Sequence, residues 1–112
     1  MDFDEYQRQV TRTLQPEDRQ TRTEMLSMVA LGIAGEAGEV VDLIKKHLFH
    51  GHPIDDEKLC GELGDLLWYV AAMATRFNLE LSLVADQNIA KLRRRYPYGF
   101  SKDASRNREP ER

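Results

Sequence analysis

The sequence predicts an all-α fold, a four-helix bundle that assembles as a homo-oligomer. Beta-branched alternation is nearly absent, while apolar residues recur every three or four positions over two long stretches, as one face of a helix requires. The chain has 112 residues, 41% hydrophobic and 31% charged, which is the size and composition of a single domain. So short a chain buries only about two-thirds of the surface its unfolded form exposes, so burial shared with a second copy is expected.

Each helix has its own punctuation. A first helix is expected from about Phe3 to Leu14, ended by Pro16, with a polar loop over Gln15 to Arg22. A second starts near Thr23 or Glu24 and runs to about Leu48, with Lys45, Lys46 and His47 in the last turn, where cations suit the macrodipole. Gly51 and Pro53 force a turn, and Asp55 is placed to cap a third helix that runs to about Phe77, with Asn78 closing it. A fourth covers about Ser82 to Arg95 and stops at Tyr96-Pro97-Tyr98-Gly99-Phe100, because Pro97 restrains its predecessor and lacks an amide donor. The folded domain is thus residues 1–100. Residues 101–112 form a polar tail without apolar period, disordered or laid across a partner subunit.

Composition narrows the function. The N-terminus lacks a signal-peptide pattern, and the longest apolar run, Leu66 to Ala74, is nine residues, well below the roughly 20 a bilayer span needs. The single cysteine, Cys60, forms no intrachain disulfide, which suits a reducing cytoplasm. Residues 1–92 carry 9 Lys/Arg against 16 Asp/Glu, whereas residues 93–112 carry 7 against 3. An acidic body argues against nucleic-acid binding, which needs Lys/Arg to neutralise several phosphates. A small ligand, or a metal held by carboxylates, fits better.

A repeat supplies the carboxylates. Gly35-Glu36-Ala37-Gly38-Glu39-Val40-Val41 returns 26 residues later as Gly61-Glu62-Leu63-Gly64-Asp65-Leu66-Leu67. Acids three apart on a helix are neighbours and repel, so something must offset the repulsion. Apolar stripes are expected along Leu26, Val29, Ile33, Ala37, Val40 and Ile44 on the second helix, and along Leu59, Leu63, Leu66, Val70, Met73 and Phe77 on the third. At the helical period the first acid of each pair lies roughly 80° from its stripe centre and the second roughly 140°. If the two helices pack antiparallel through their stripes, four carboxylates can converge at one rim of the interface. Gly35, Gly38, Gly61 and Gly64 each cost about 1 kcal/mol relative to alanine in mid-helix, which suggests close approach of backbone or ligand. All-oxygen ligation suits a hard ion such as Mg²⁺, which leaves positions for water and phosphate oxygens. A di-iron centre would want Glu-x-x-His, and no histidine follows these acids at that spacing.

With these residues in place, the sequence resembles the MazG-like all-α nucleoside triphosphate pyrophosphohydrolases, relatives of the dimeric all-α dUTPases. The resemblance lies in Glu36-x-x-Glu39, a 22-residue spacer, Glu62-x-x-Asp65, and the segment from Asn88 through Lys91 and Arg95 to Phe100, and spans about residues 6 to 100. It implies Mg²⁺-dependent hydrolysis of a nucleoside triphosphate between the α and β phosphates, with Mn²⁺ as a substitute ion. It further implies that Glu36, Glu39, Glu62 and Asp65 hold the metal, and that Lys58, Lys91 and Arg95 contact phosphates. Glu39, the outermost acid of the first pair, is the choice for orienting the attacking water. Lys45 can reach a triphosphate, as can Lys46, and Asn88 can bond to sugar or base.

Bland alternatives stand beside these roles. His47, His50 and His52 crowd one turn but lack the cysteine or suitably spaced acid of a zinc site. Trp68 lies opposite the third helix's stripe and is expected to face another subunit rather than a nucleobase. The competing function is a metal-stabilised helical interaction protein without turnover, which would have no need of the phosphate-binding cations Lys58, Lys91 and Arg95.

Overall fold

Among the described residues five helices follow in order: α1 (Phe3–Thr11), α2 (Arg22–His50), α3 (Asp56–Arg76), α4 (Leu81–Arg95) and α5 (Lys102–Arg106). The computed structural model describes residues 1–16 and 20–107, and among these no strand occurs, only an isolated bridge between Pro97 and Gly99.

The centre of the fold is the α2–α3 hairpin, and local chemistry fixes its ends. The Thr21 hydroxyl accepts the Glu24 amide at 3.1 Å, opening α2. At the other end Gly51 adopts the left-handed conformation, φ 72°, with its N–H turned back to the Lys46 carbonyl. Only glycine takes this C-cap without a Cβ penalty. Four residues later the Asp55 carboxylate accepts the Lys58 amide at 3.1 Å and starts α3. So short a connection leaves the helices antiparallel and neighbouring. Asn78, at φ 56°, terminates the α3 end as expected.

Three boundaries differ from the sequence reading. The first helix stops at Thr11 rather than Leu14: the Thr11 and Thr13 hydroxyls bond back to the Arg8 and Val10 carbonyls, offering the backbone an alternative to helix. The second runs on to His50 because Gly51, not Leu48, supplies the cap. A fifth helix forms in the polar tail, where the Ser101 hydroxyl accepts the Ala104 amide at 3.0 Å. The tail beyond residue 107, and residues 17–19 of the expected loop, lie outside the described residues.

The core sits where α1 closes over the hairpin, around Val10, Val29, Ala71, Ala72 and Leu81. The three alanines Ala71, Ala72 and Ala74 are buried, and their small side chains let α1 approach closely. The expected stripes are only half realised. Val29 is fully buried, but Ile44 and Leu63, toward the hairpin tip, are exposed, as is Phe77 at the opposite end, whose ring lies 5.6 Å from the Arg22 guanidinium. Trp68 corrects its expectation outright: it packs on the chain's own core, and its indole N–H donates to the Thr13 hydroxyl at 2.9 Å. A single apolar stripe does not account for Trp68, because α3 packs through two faces.

Gln7 ties the remaining pieces. Its amide donates to the Thr75 hydroxyl at 3.0 Å and the Leu79 carbonyl at 2.9 Å, and its carbonyl accepts the Leu81 amide at 2.8 Å. Glu80 makes no side-chain cap bond, so Gln7 of α1 caps α4 in its place. No described helix is long and apolar enough to cross a membrane.

Candidate metal centre

The two repeats meet across the hairpin. One carboxylate oxygen each from Glu36, Glu62 and Asp65 lies within 4.8 Å of the others, with Glu36 and Glu62 half-buried and Asp65 exposed. The antiparallel register explains the encounter, since Glu36 stands opposite the Glu62–Asp65 turn. Every influence on Glu36 acts in one direction. Partial burial, then the charge of Asp65, a hydrogen bond with Glu62, and the charges of Glu62 and Glu39 hold its carboxyl above the ordinary range, with no cation among them. Three mutually repelling acids on rigid helices, all of them oxygen donors, fit a hard divalent cation, which would relieve that repulsion. Glu39 is exposed and stands outside the triad, though near enough for Glu36 and Lys46 to feel its charge.

The four glycines expected to mediate close approach do not do so within the chain: a Cβ at Gly35, Gly38, Gly61 or Gly64 would meet nothing within 4 Å. Gly32, which the sequence reading passed over, does. A Cβ there would fall 2.1 Å from the Tyr69 ring, so Tyr69 lies directly against the α2 backbone. Gly32 precedes Glu36 by one turn and Tyr69 follows Asp65 by one turn, so this contact sits one step along the same antiparallel register. Counting four back from Glu36 and four on from Asp65 in the sequence would have found it.

On the other side of the acids the cations are unevenly placed. Lys58 is exposed one turn before Glu62. Lys46 pairs with Asp42 at 2.8 Å and Lys45 with the same carboxylate at 3.5 Å. Lys46 and Lys58 line a cavity of about 330 Å³ at the hairpin tip together with His52 and Asp55. His47 Nδ1 meets the His52 carbonyl at 2.7 Å, and among the described residues the three histidines join no metal-ligating group. Asn88, Lys91 and Arg95 stand on α4, which packs on α1 and on α3. Arg95 lies 5.9 Å over the Tyr96 ring.

Fold and centre together define an all-helical protein whose helical hairpin carries a convergent carboxylate triad. The model of the MazG nucleotide pyrophosphohydrolase domain matches residues 24–100, and the chain belongs to that family. It is also 37% identical over 89 residues to the Gene 37 protein of Mycobacterium phage L5, covering 76% of this chain and 78% of that relative. No solved structure matches.

Proposed function

We propose that this protein hydrolyses a nucleoside triphosphate between its α and β phosphates, releasing a monophosphate and pyrophosphate, with Mg²⁺ as cofactor and Mn²⁺ as a substitute. The observation that carries the reading is the triad of Glu36, Glu62 and Asp65, converging within 4.8 Å on a hairpin whose family acts on nucleotides. Glu36, Glu62 and Asp65 hold the ion, and Glu39 joins them at the rim. When bound, the ion neutralises charge on phosphate oxygens.

The chain's residues supply the rest. Glu39 orients the attacking water and takes its proton as the water oxygen bonds to phosphorus and the α–β bridging oxygen leaves with pyrophosphate. Lys58 and Lys91 stabilise charge on the leaving pyrophosphate, and Lys45, Asn88 and Arg95 bind the substrate. A homo-oligomer in which a second copy approaches the hairpin is part of this reading, because so short a chain has little core of its own. The surface points the same way. The chain exposes 8753 Å², against about 6,300 Å² for a compact monomer of its mass. Leu31, Val41, Leu48 and Phe49, on α2 away from Glu36, are each more than 60% exposed. A cytoplasmic location, where nucleotide pools are found, belongs to this reading.

The test is release of pyrophosphate from a panel of ribo-, deoxy- and modified nucleoside triphosphates with Mg²⁺, the nucleoside product being identified. Monophosphate and pyrophosphate in equal amounts are expected. No release from any of them, or release of orthophosphate and a diphosphate, overturns the reading.

A further inference from the structure

The two flanks of the carboxylate triad differ in chemistry. One turn toward the hairpin tip, about 6 Å along α3, stands Lys58, and beyond it the 330 Å³ cavity that Lys58 shares with Lys46 and His52. Among the described residues the Lys58 ammonium has no ion-pair partner. One turn the other way stands Tyr69, half-buried, its ring fixed against Gly32 and set edge-on to Trp68 with centroids 5.0 Å apart. From α1, Tyr6 adds a second half-buried phenol to that flank: its hydroxyl is held above its ordinary pKa by burial and then by the charge of Asp65. Neither phenol has a hydrogen-bond partner among the described residues.

We propose that the nucleotide lies along the α2–α3 hairpin in one direction, its nucleoside end against Tyr69 and Tyr6 and its polyphosphate tail running past the triad toward Lys58 and Lys46. The proposal rests on the pyrophosphohydrolase reading and adds to it a polarity and two specificity-determining residues. Aromatic faces stack on bases, worth roughly 1–3 kcal/mol per base, and free phenol hydroxyls can bond to sugar or base edges. Lysines at a cavity suit the most highly charged part of the substrate. Gly32 makes the aromatic flank rigid, since any larger residue would push the Tyr69 ring off α2.

Hydrolysis yields one product for each end, so the ends are read separately by calorimetry with Mg²⁺, titrating the four ribonucleoside monophosphates and, independently, pyrophosphate. Tyr69→Leu and Tyr6→Leu should weaken the tightest-binding monophosphate about fivefold or more and leave pyrophosphate unchanged. Lys58→Ala and Lys46→Ala should weaken pyrophosphate about tenfold or more and leave the monophosphate unchanged. Each ligand is thus the folding control for the other pair of variants, and Tyr69→Phe, which keeps the ring, should retain most of the monophosphate affinity. A crossed pattern, with tyrosines governing pyrophosphate and lysines the monophosphate, overturns the polarity, as does equal loss of both ligands or no loss in any variant. Failure of the wild-type protein to cleave any triphosphate, with this pattern intact, would sink the hydrolase reading and leave the orientation standing.

Discussion

Glu36 concentrates the cost of the site in one side chain. A carboxyl whose folded-state pKa lies above its unfolded value favours the folded protein at pH below the unfolded pKa, and that contribution is lost as pH rises through the folded pKa. The metal-free protein therefore carries its acid repulsion at neutral pH and sheds part of it on mild acidification. Glu36→Gln should accordingly raise the Tm of the EDTA-treated protein at pH 7, and the gain should shrink as pH falls through the raised pKa. Thermal melts of both proteins across mildly acidic to neutral pH check this, and a Glu36→Gln protein less stable than wild type at pH 7 counts against the repulsive triad. Glu5 and Asp42 titrate in the opposite sense. Gln9 and Arg8 hold Glu5 below its ordinary value, and Lys46 does the same for Asp42, so their contributions disappear only at lower pH.

At the scale of the helix, glycine separates what the hairpin uses from what it leaves open. Gly32→Ala drives a methyl into the Tyr69 ring and should destabilise by about 1–3 kcal/mol, the usual effect of overpacking. Gly61→Ala meets empty space and should stabilise α3 by about 0.5–1 kcal/mol. Urea unfolding at matched low protein concentration distinguishes the two, and equal effects of the same sign would contradict the packing described for Tyr69. The same contrast shows what the sequence could disclose. The helices, the hairpin turn at Gly51 and the facing of Glu36 on Glu62 and Asp65 follow from local signals and a 26-residue repeat. Trp68 does not, because which second face of α3 is covered depends on α1, a partner more than 50 residues away that no periodicity in α3 records.

For the whole molecule, shape is the informative quantity. The radius of gyration is 17.2 Å, against about 13 Å for a compact chain of this length. The surplus surface is of the order that obligate homodimers bury, about 2,000 Å² or more in total. Light scattering at micromolar concentration should give a multiple of the 13.0 kDa chain mass, and Val41→Lys, on an exposed apolar face of α2, should shift it toward the monomer. A wild-type protein that remains monomeric would remove the assembled site from consideration. Gln7 adds a constraint in time. Its bond to the Leu81 amide spans 74 positions in the chain, so the first turn of α4 can be secured only after a loop containing the entire hairpin has closed. The beginning and end of the domain are therefore one cooperative unit: in hydrogen exchange the opening amides of α4 should lose protection together with α1 rather than with α3, and an early fraying of the N-terminus would release the helix that carries Lys91 and Arg95.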